Sequence, residues 1–155
     1  MDIGNLDHQR AREARRRRQA GMTIIELLAV LAIVGSLSSV AIPKYHELSD
    51  RARVAQAIGD LHAIQTMLET RDSLPDNTSG LGVNTTDPWG NPIVYVKFPN
   101  GAPRVDRFGV VLNTYYDLYS VGKDGATSSS LNASVSFDDV VRANDGGFLG
   151  QAAKF

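Results

Sequence analysis

Glu26 is a carboxylate set inside an apolar run, Met22 to Ile42, that contains no other charged residue. On insertion scales an acid costs about 2.5–3.5 kcal/mol at the centre of a membrane helix and less near an end. Such a group needs either a route to the headgroups, as a snorkelling side chain finds, or a cation on a neighbouring helix that relieves both desolvation costs at once. The other groups capable of chemistry are scattered. His8, His46 and His62 form no His-x-x-x-His pair for zinc, and there is no Gly-x-Ser-x-Gly elbow and no Gly-Lys-Ser or Gly-Lys-Thr phosphate loop. No nucleophile, base and oxyanion donors can be assembled into a catalytic set, so the chain reads as a non-enzyme.

The element that must position Glu26 is a helix. At about 1.5 Å of rise per residue, Met22 to Ile42 reaches the roughly 30 Å of a bilayer core. Four consecutive arginines, Arg15 to Arg18, stand before it, and the net charge of −1 hides a split of +3 over residues 1–21 and −4 over residues 22–155. A basic leader ahead of a span predicts a cytoplasmic N-terminus and an exported C-terminal part. The acidic remainder and the lack of interleaved aromatics oppose a nucleic-acid role for the arginines. A cleaved export signal ending at Ser39-Val40-Ala41 is a rival reading, opposed by the length of the run and by Glu26.

Gly21-Met22-Thr23-Ile24-Ile25-Glu26-Leu27-Leu28, behind basic residues and ahead of an apolar helix, resembles the cleavage and methylation signal of the type IV prepilin family. The resemblance implies a prepilin peptidase that cuts after Gly21 and methylates Met22 as the new terminus. It also implies that Glu26 pairs with the terminal amine of a neighbouring subunit during assembly. Met22 stands where phenylalanine is more usual. In domain terms, residues 1–21 are expected to be a removed leader, residues 22–42 the membrane and assembly half of the helix, and residues 43–155 a periplasmic pilin-like domain.

Beyond Pro43, where the missing N–H predicts a kink, Leu48, Ala52, Ala55, Ile58, Leu61, Ile64 and Leu68 recur at spacings of three and four. That stripe predicts one buried helical face, with Glu47, Asp50, Arg51, Arg53 and Asp60 on the wetter side and an end near Arg71 to Ser73. A polar connector follows over Asp76 to Asn84, then a turn-dense Thr86-Asp87-Pro88-Trp89-Gly90-Asn91-Pro92. Trp89 is expected to be a packing anchor. Ile93 to Phe98, Arg107 to Leu112 and Tyr115 to Val121 read as strands, the last two joined as a hairpin through Asn113-Thr114. The fold class is α+β: a long N-terminal helix packed on a small antiparallel sheet.

The Asp-Pro-Trp-Gly-Asn-Pro cluster, with Asp117-Leu118-Tyr119-Ser120-Val121-Gly122-Lys123-Asp124-Gly125, is similar to the major-pseudopilin branch of the family, from type II secretion systems. The absence of cysteine agrees with that branch, because many major type IV pilins close a C-terminal disulfide loop. The resemblance implies calcium in the loop after Gly125, held by Asp124, Asp138 and Asp139 with backbone carbonyls completing a shell of six to eight oxygens. The Asp145-Gly146-Gly147 turn carries no ligand role.

The function this implies is a filament subunit of a secretion pseudopilus, inserted in the inner membrane with its C-terminus in the periplasm. Its partners would be copies of itself, minor pseudopilins, an assembly platform with its ATPase, the prepilin peptidase and membrane lipid, with no nucleic acid. The alternatives are a type IV pilin serving adhesion, motility or DNA uptake, and a membrane-anchored periplasmic binding module.

Overall fold

The computed structural model describes residues 21–79 and 81–155; the rest of the expected leader, with His8 and the arginine run, lies outside the described residues. The chain divides into two compact units between His46 and Glu47. One helix, α1 (Ile24–Glu69), belongs to both. Pro43 stands inside α1 without ending it, so the expected kink is not a break: proline deletes one N–H, and the turns on either side keep their own bonds. The helix ends at Glu69, a little before the expected Arg71, and Thr70 still donates its N–H to the Thr66 carbonyl at 3.1 Å.

In the first unit the apolar side chains face outward. Met22 is 67% exposed and Ile24 80%, and Leu27, Leu31, Ile33, Val34 and Leu37 are exposed with them. An apolar surface of this extent is a membrane or subunit contact, and α1 is long and apolar enough to cross a bilayer.

The second unit pairs the later turns of α1 with a four-stranded antiparallel sheet in the order β1 (Val94–Lys97), β2 (Tyr116–Ser120), β3 (Val140–Ala143), β4 (Phe148–Gln151). The register sets Tyr95 opposite Leu118, Ser120 opposite Val140 and Val141 opposite Gly150. Alternation along the strands serves two cores. Tyr116, Leu118 and Val140 face α1, where Ala57, Leu61, Ile64 and Leu68 are buried against them. Val141 and Ala143 face the other way, onto Leu112, Leu131 and Ala152, with Tyr119, Phe148 and Phe155 packed alongside. Each large aliphatic side chain so buried contributes about 1.5–3 kcal/mol.

The expected helix stripe is therefore right only in its lower half. Leu48, at 63% exposure, and Ala52 and Ala55 are exposed, Ile58 is half-buried, and the covered face runs instead through Val54, Ala57, Leu61, Ile64 and Leu68. Trp89 packs against this core as an anchor, as expected. On the wetter side Glu47 pairs with Arg51 at 2.6 Å, one turn along the helix, and Asp50 pairs with Lys123 at 2.7 Å.

Asp60 is the exception on that side. One of its oxygens is buried without a hydrogen-bond partner, and burial, then the negative Asp87, raise its pKa above the ordinary 3.8. The folded state thus holds this proton more tightly than the unfolded chain does. Stability from this group is fullest below the ordinary carboxylate range and declines as pH rises through the raised value. Asp60→Asn is expected to raise the melting temperature at neutral pH by a few degrees. The gain should vanish in acid, and paired thermal unfolding at the two pH values measures it.

Two strand expectations need correction. Arg107 to Leu112 is a tight turn: Asp106 Oδ1 accepts the N–H groups of Phe108 at 2.7 Å and Val110 at 2.8 Å, and Gly109 takes a φ of +82°. The local side-chain bonds outcompete a ladder, leaving only the single bridge between Val105 and Val111. Conversely, β3 and β4 arise from the segment read as a loop with a closing tail. The hairpin between them turns on Asn144 and Asp145, both at a φ of 53°, and Gly146.

Candidate functional site

The first candidate site is the start of α1. Thr23 and Glu26 form a reciprocal capping box: the Thr23 N–H and hydroxyl donate to Glu26 Oε2, both at 3.1 Å, while the Glu26 N–H donates to Thr23 Oγ1 at 3.2 Å. The Thr23 carbonyl accepts the Leu27 N–H at 3.1 Å, so helical bonding begins there. Gly21 and Met22 precede the helix, exposed. A peptide bond between them is open to a protease, and a carboxylate in the first turn is favoured by the helix dipole. The Thr-x-x-Glu spacing, with Thr23 as the cap, announces this arrangement in the sequence.

The second candidate site is the C-terminal loop. Asp138 Oδ2 accepts the backbone N–H groups of Lys123 at 2.8 Å and Asp124 at 3.0 Å. Asp124 turns its own Oδ1 to the Ala126 N–H at 2.8 Å. Asp139 is wholly buried, and its Oδ2 accepts both the Thr127 hydroxyl and Arg104 Nη2, the latter at 2.6 Å. Burial pushes the Asp139 carboxyl up, while Thr127 and Arg104 pull it back. The turn at 122–125 is also stitched to the Thr86–Pro92 cluster. Asn91 Nδ2 donates to the Gly122 carbonyl at 3.0 Å, and Ser120 Oγ donates to Asp87 Oδ2 at 2.6 Å.

The three aspartates do not converge on one point. No group of three or more His, Asp or Glu side chains able to hold a metal occurs among the described residues, and His46 and His62 are both exposed on α1. Asp138 gives Oδ2 to two backbone donors, and Asp139 gives Oδ2 to a guanidinium and a hydroxyl. The arrangement does not fit the calcium shell expected of Asp124, Asp138 and Asp139.

Two arginines are buried here, one on each face of the sheet, and Arg104 is the one that reaches the loop. Arg104 lies over the Tyr119 ring at 4.1 Å, and Arg142 over the Tyr116 ring at 4.2 Å. Arg142 Nη1 donates to Asn113 Oδ1 at 3.0 Å, and Nη2 lies 3.6 Å from Glu69. Asn113 in turn donates to Asp117 Oδ1 at 2.9 Å, while Asp117 Oδ2 accepts the Arg104 N–H at 2.6 Å. Burial holds the Asp117 carboxyl above its ordinary value against these donors. Asp145, by contrast, is held below its ordinary value by the Thr114 N–H, which donates at 2.8 Å. Sequence gave no signal for these partners, because Arg104 and Asp139 are 35 positions apart.

The comparisons with known proteins bear on both regions. Residues 16–42 match the prokaryotic N-terminal methylation motif. A fimbrial protein of Neisseria meningitidis is 30% identical, over 82% of this chain and 81% of that protein. The chain belongs to the type IV pilin and pseudopilin family. A second relative, the type II secretion system core protein G of Pseudomonas aeruginosa, is 29% identical over 76% of the chain and 92% of that protein. A third, the type IV major pilin protein PilE1 of Neisseria gonorrhoeae, is 37% identical over 54% of the chain and 49% of that protein. No solved structure matches the chain significantly. The long helix against a four-stranded antiparallel sheet is the pilin-like fold that the motif and relatives imply. Membership makes the chain a structural subunit, and among the described residues one N-terminal apolar helix anchors it, with the globular part outside the membrane.

Proposed function

We propose that this chain is a filament subunit of a type II secretion pseudopilus. In this reading residues 1–21 are a leader that a prepilin peptidase removes after Gly21, and Met22 becomes the methylated terminus. The apolar first part of α1 then leaves lipid for the helices of its neighbours, exchanging one set of apolar contacts for another. Glu26 sets the register by pairing with a neighbour's terminal ammonium. Residues 43–155 remain on the periplasmic side, and the assembly platform, its ATPase and the minor pseudopilins act as partners.

The observation that carries this reading is the likeness to core protein G over 92% of that protein, supported by the absence of cysteine from the chain. The match to the meningococcal fimbrial protein over 82% of the chain favours a second reading, a pilus subunit. Both share the processing step. Intact mass and N-terminal sequencing of the protein from its native membranes are expected to give a chain starting at N-methylated Met22. An uncut chain, or a start at Ile42, would remove the filament argument altogether. Deletion of the gene then separates the two filaments: loss of exported proteins from the medium supports the pseudopilus, whereas loss of surface fibres with secretion intact supports the pilus.

A further inference from the structure

We infer that the guanidinium of Arg104 is the cation around which the C-terminal loop of this chain is ordered, in the place that the family resemblance gives to calcium. The first ground is the geometry of Arg104 itself. Its side chain is 5% exposed and that of Asp139 is fully buried, with Nη2 and Oδ2 2.6 Å apart. A planar guanidinium held on a tyrosine face is a fixed charge, unlike a flexible ammonium. Its main chain is fixed as well: the N–H donates to Asp117 Oδ2 at 2.6 Å, and the carbonyl accepts the Leu112 N–H at 2.9 Å.

The second ground is what Asp139 ties together. Its carboxylate accepts Thr127 from the serine-rich loop, and its carbonyl accepts the Ala152 N–H from the C-terminal segment at 2.9 Å. It stands immediately before β3. One ion pair therefore joins the 104–112 turn, the loop after Gly125, the residue that leads into a central strand and the chain end.

The third ground is electrostatic. Asp139 Oδ1 has no hydrogen-bond partner, yet a calcium ion seated on it, at about 2.3–2.6 Å, would share one buried carboxylate with a guanidinium. Like charges so close in a poorly screened place repel strongly. The other two expected ligands are no better placed, since Asp138 and Asp124 are turned to backbone N–H groups at 122–126.

The inference concerns the loop alone, so its failure leaves the filament reading intact, and that reading is decided separately by the N-terminal mass. The test is thermal unfolding of the full chain in detergent micelles, with calcium chloride or with a calcium chelator, beside titration calorimetry with calcium chloride. The wild-type chain is expected to melt at the same temperature in both solutions and to take up no calcium. Arg104→Met keeps the apolar stem but strands the Asp139 charge, and is expected to lower the melting temperature by roughly 10 °C or more. Arg104→Met with Asp139→Asn is expected to recover part of that loss, because the stranded charge is gone. A wild-type melting temperature that falls when calcium is chelated would overturn the inference, as would an Arg104→Met chain that melts like the wild type. If Arg104→Met does not fold, the chelator comparison on the wild-type chain still decides.

Discussion

Glu26→Ala is expected to leave membrane insertion and leader removal intact while abolishing filament assembly. The substitution removes an acid from the apolar run, so insertion becomes easier by up to about 2.5–3.5 kcal/mol. It also removes one half of the Thr23–Glu26 capping box, a loss of about 0.5–2 kcal/mol. A helix of 46 residues can fray at its first turn without unfolding. What the alanine chain lacks is the carboxylate that, in the proposed assembly, pairs with a neighbour's terminal ammonium. Immunoblots should show the mature band at normal abundance, and sheared-fibre preparations should be empty. Glu26→Gln separates charge from capping, since its carbonyl oxygen can still accept from Thr23 while the charge is gone. Assembly by the glutamine variant at wild-type levels would mean that Glu26 serves only to cap its own helix.

The part of this molecule legible in the sequence is the part whose information is local. The apolar run, the acid within it, the turn cluster around Trp89 and the two strands β1 and β2 are written in consecutive residues, and all stand where their composition puts them. The misread segments are those in which a distant partner or a single side chain decides. Arg107 to Leu112 has strand composition, but Asp106 gathers its N–H groups into a turn. Val140 to Ala143 is too short and too closely followed by Asn-Asp-Gly-Gly to declare itself, yet between β2 and β4 it becomes a central strand, every residue buried. The upper half of the helix stripe failed for a related reason: periodicity marks which residues share a face, but not where along the helix a sheet lies to cover them. In the loop, Asp138 and Asp139 are visible in the sequence as a pair of adjacent acids. Their partners, two backbone N–H groups and a buried arginine, lie in other parts of the chain.

Gly122→Ala is expected to destabilise the globular unit by roughly 2–5 kcal/mol, a large share of the 5–15 kcal/mol that holds a typical domain. Two terms add. Gly122 has a φ of +71°, where a side chain costs about 1–2 kcal/mol. A Cβ there would also lie 2.6 Å from both the carbonyl oxygen and Oδ2 of Asp138, and overpacking of this kind costs about 1–3 kcal/mol. Neither neighbour can yield easily. The Asp138 carboxylate is held by the N–H groups of Lys123 and Asp124, while the Gly122 N–H and carbonyl are themselves bonded to Ser120 Oγ and Asn91 Nδ2. Movement at Gly122 therefore loosens the link between the end of β2, the Trp89 turn and the start of β3 together. Gly82→Ala supplies the control, because Gly82 has the same φ of +71° and nothing within 4 Å of its added Cβ. Denaturant unfolding of the two variants should show Gly82→Ala losing only the backbone term and Gly122→Ala losing clearly more. Equal losses would mean that Asp138 does not press on the turn, and that the Gly-Lys-Asp-Gly segment is held by its backbone conformation alone.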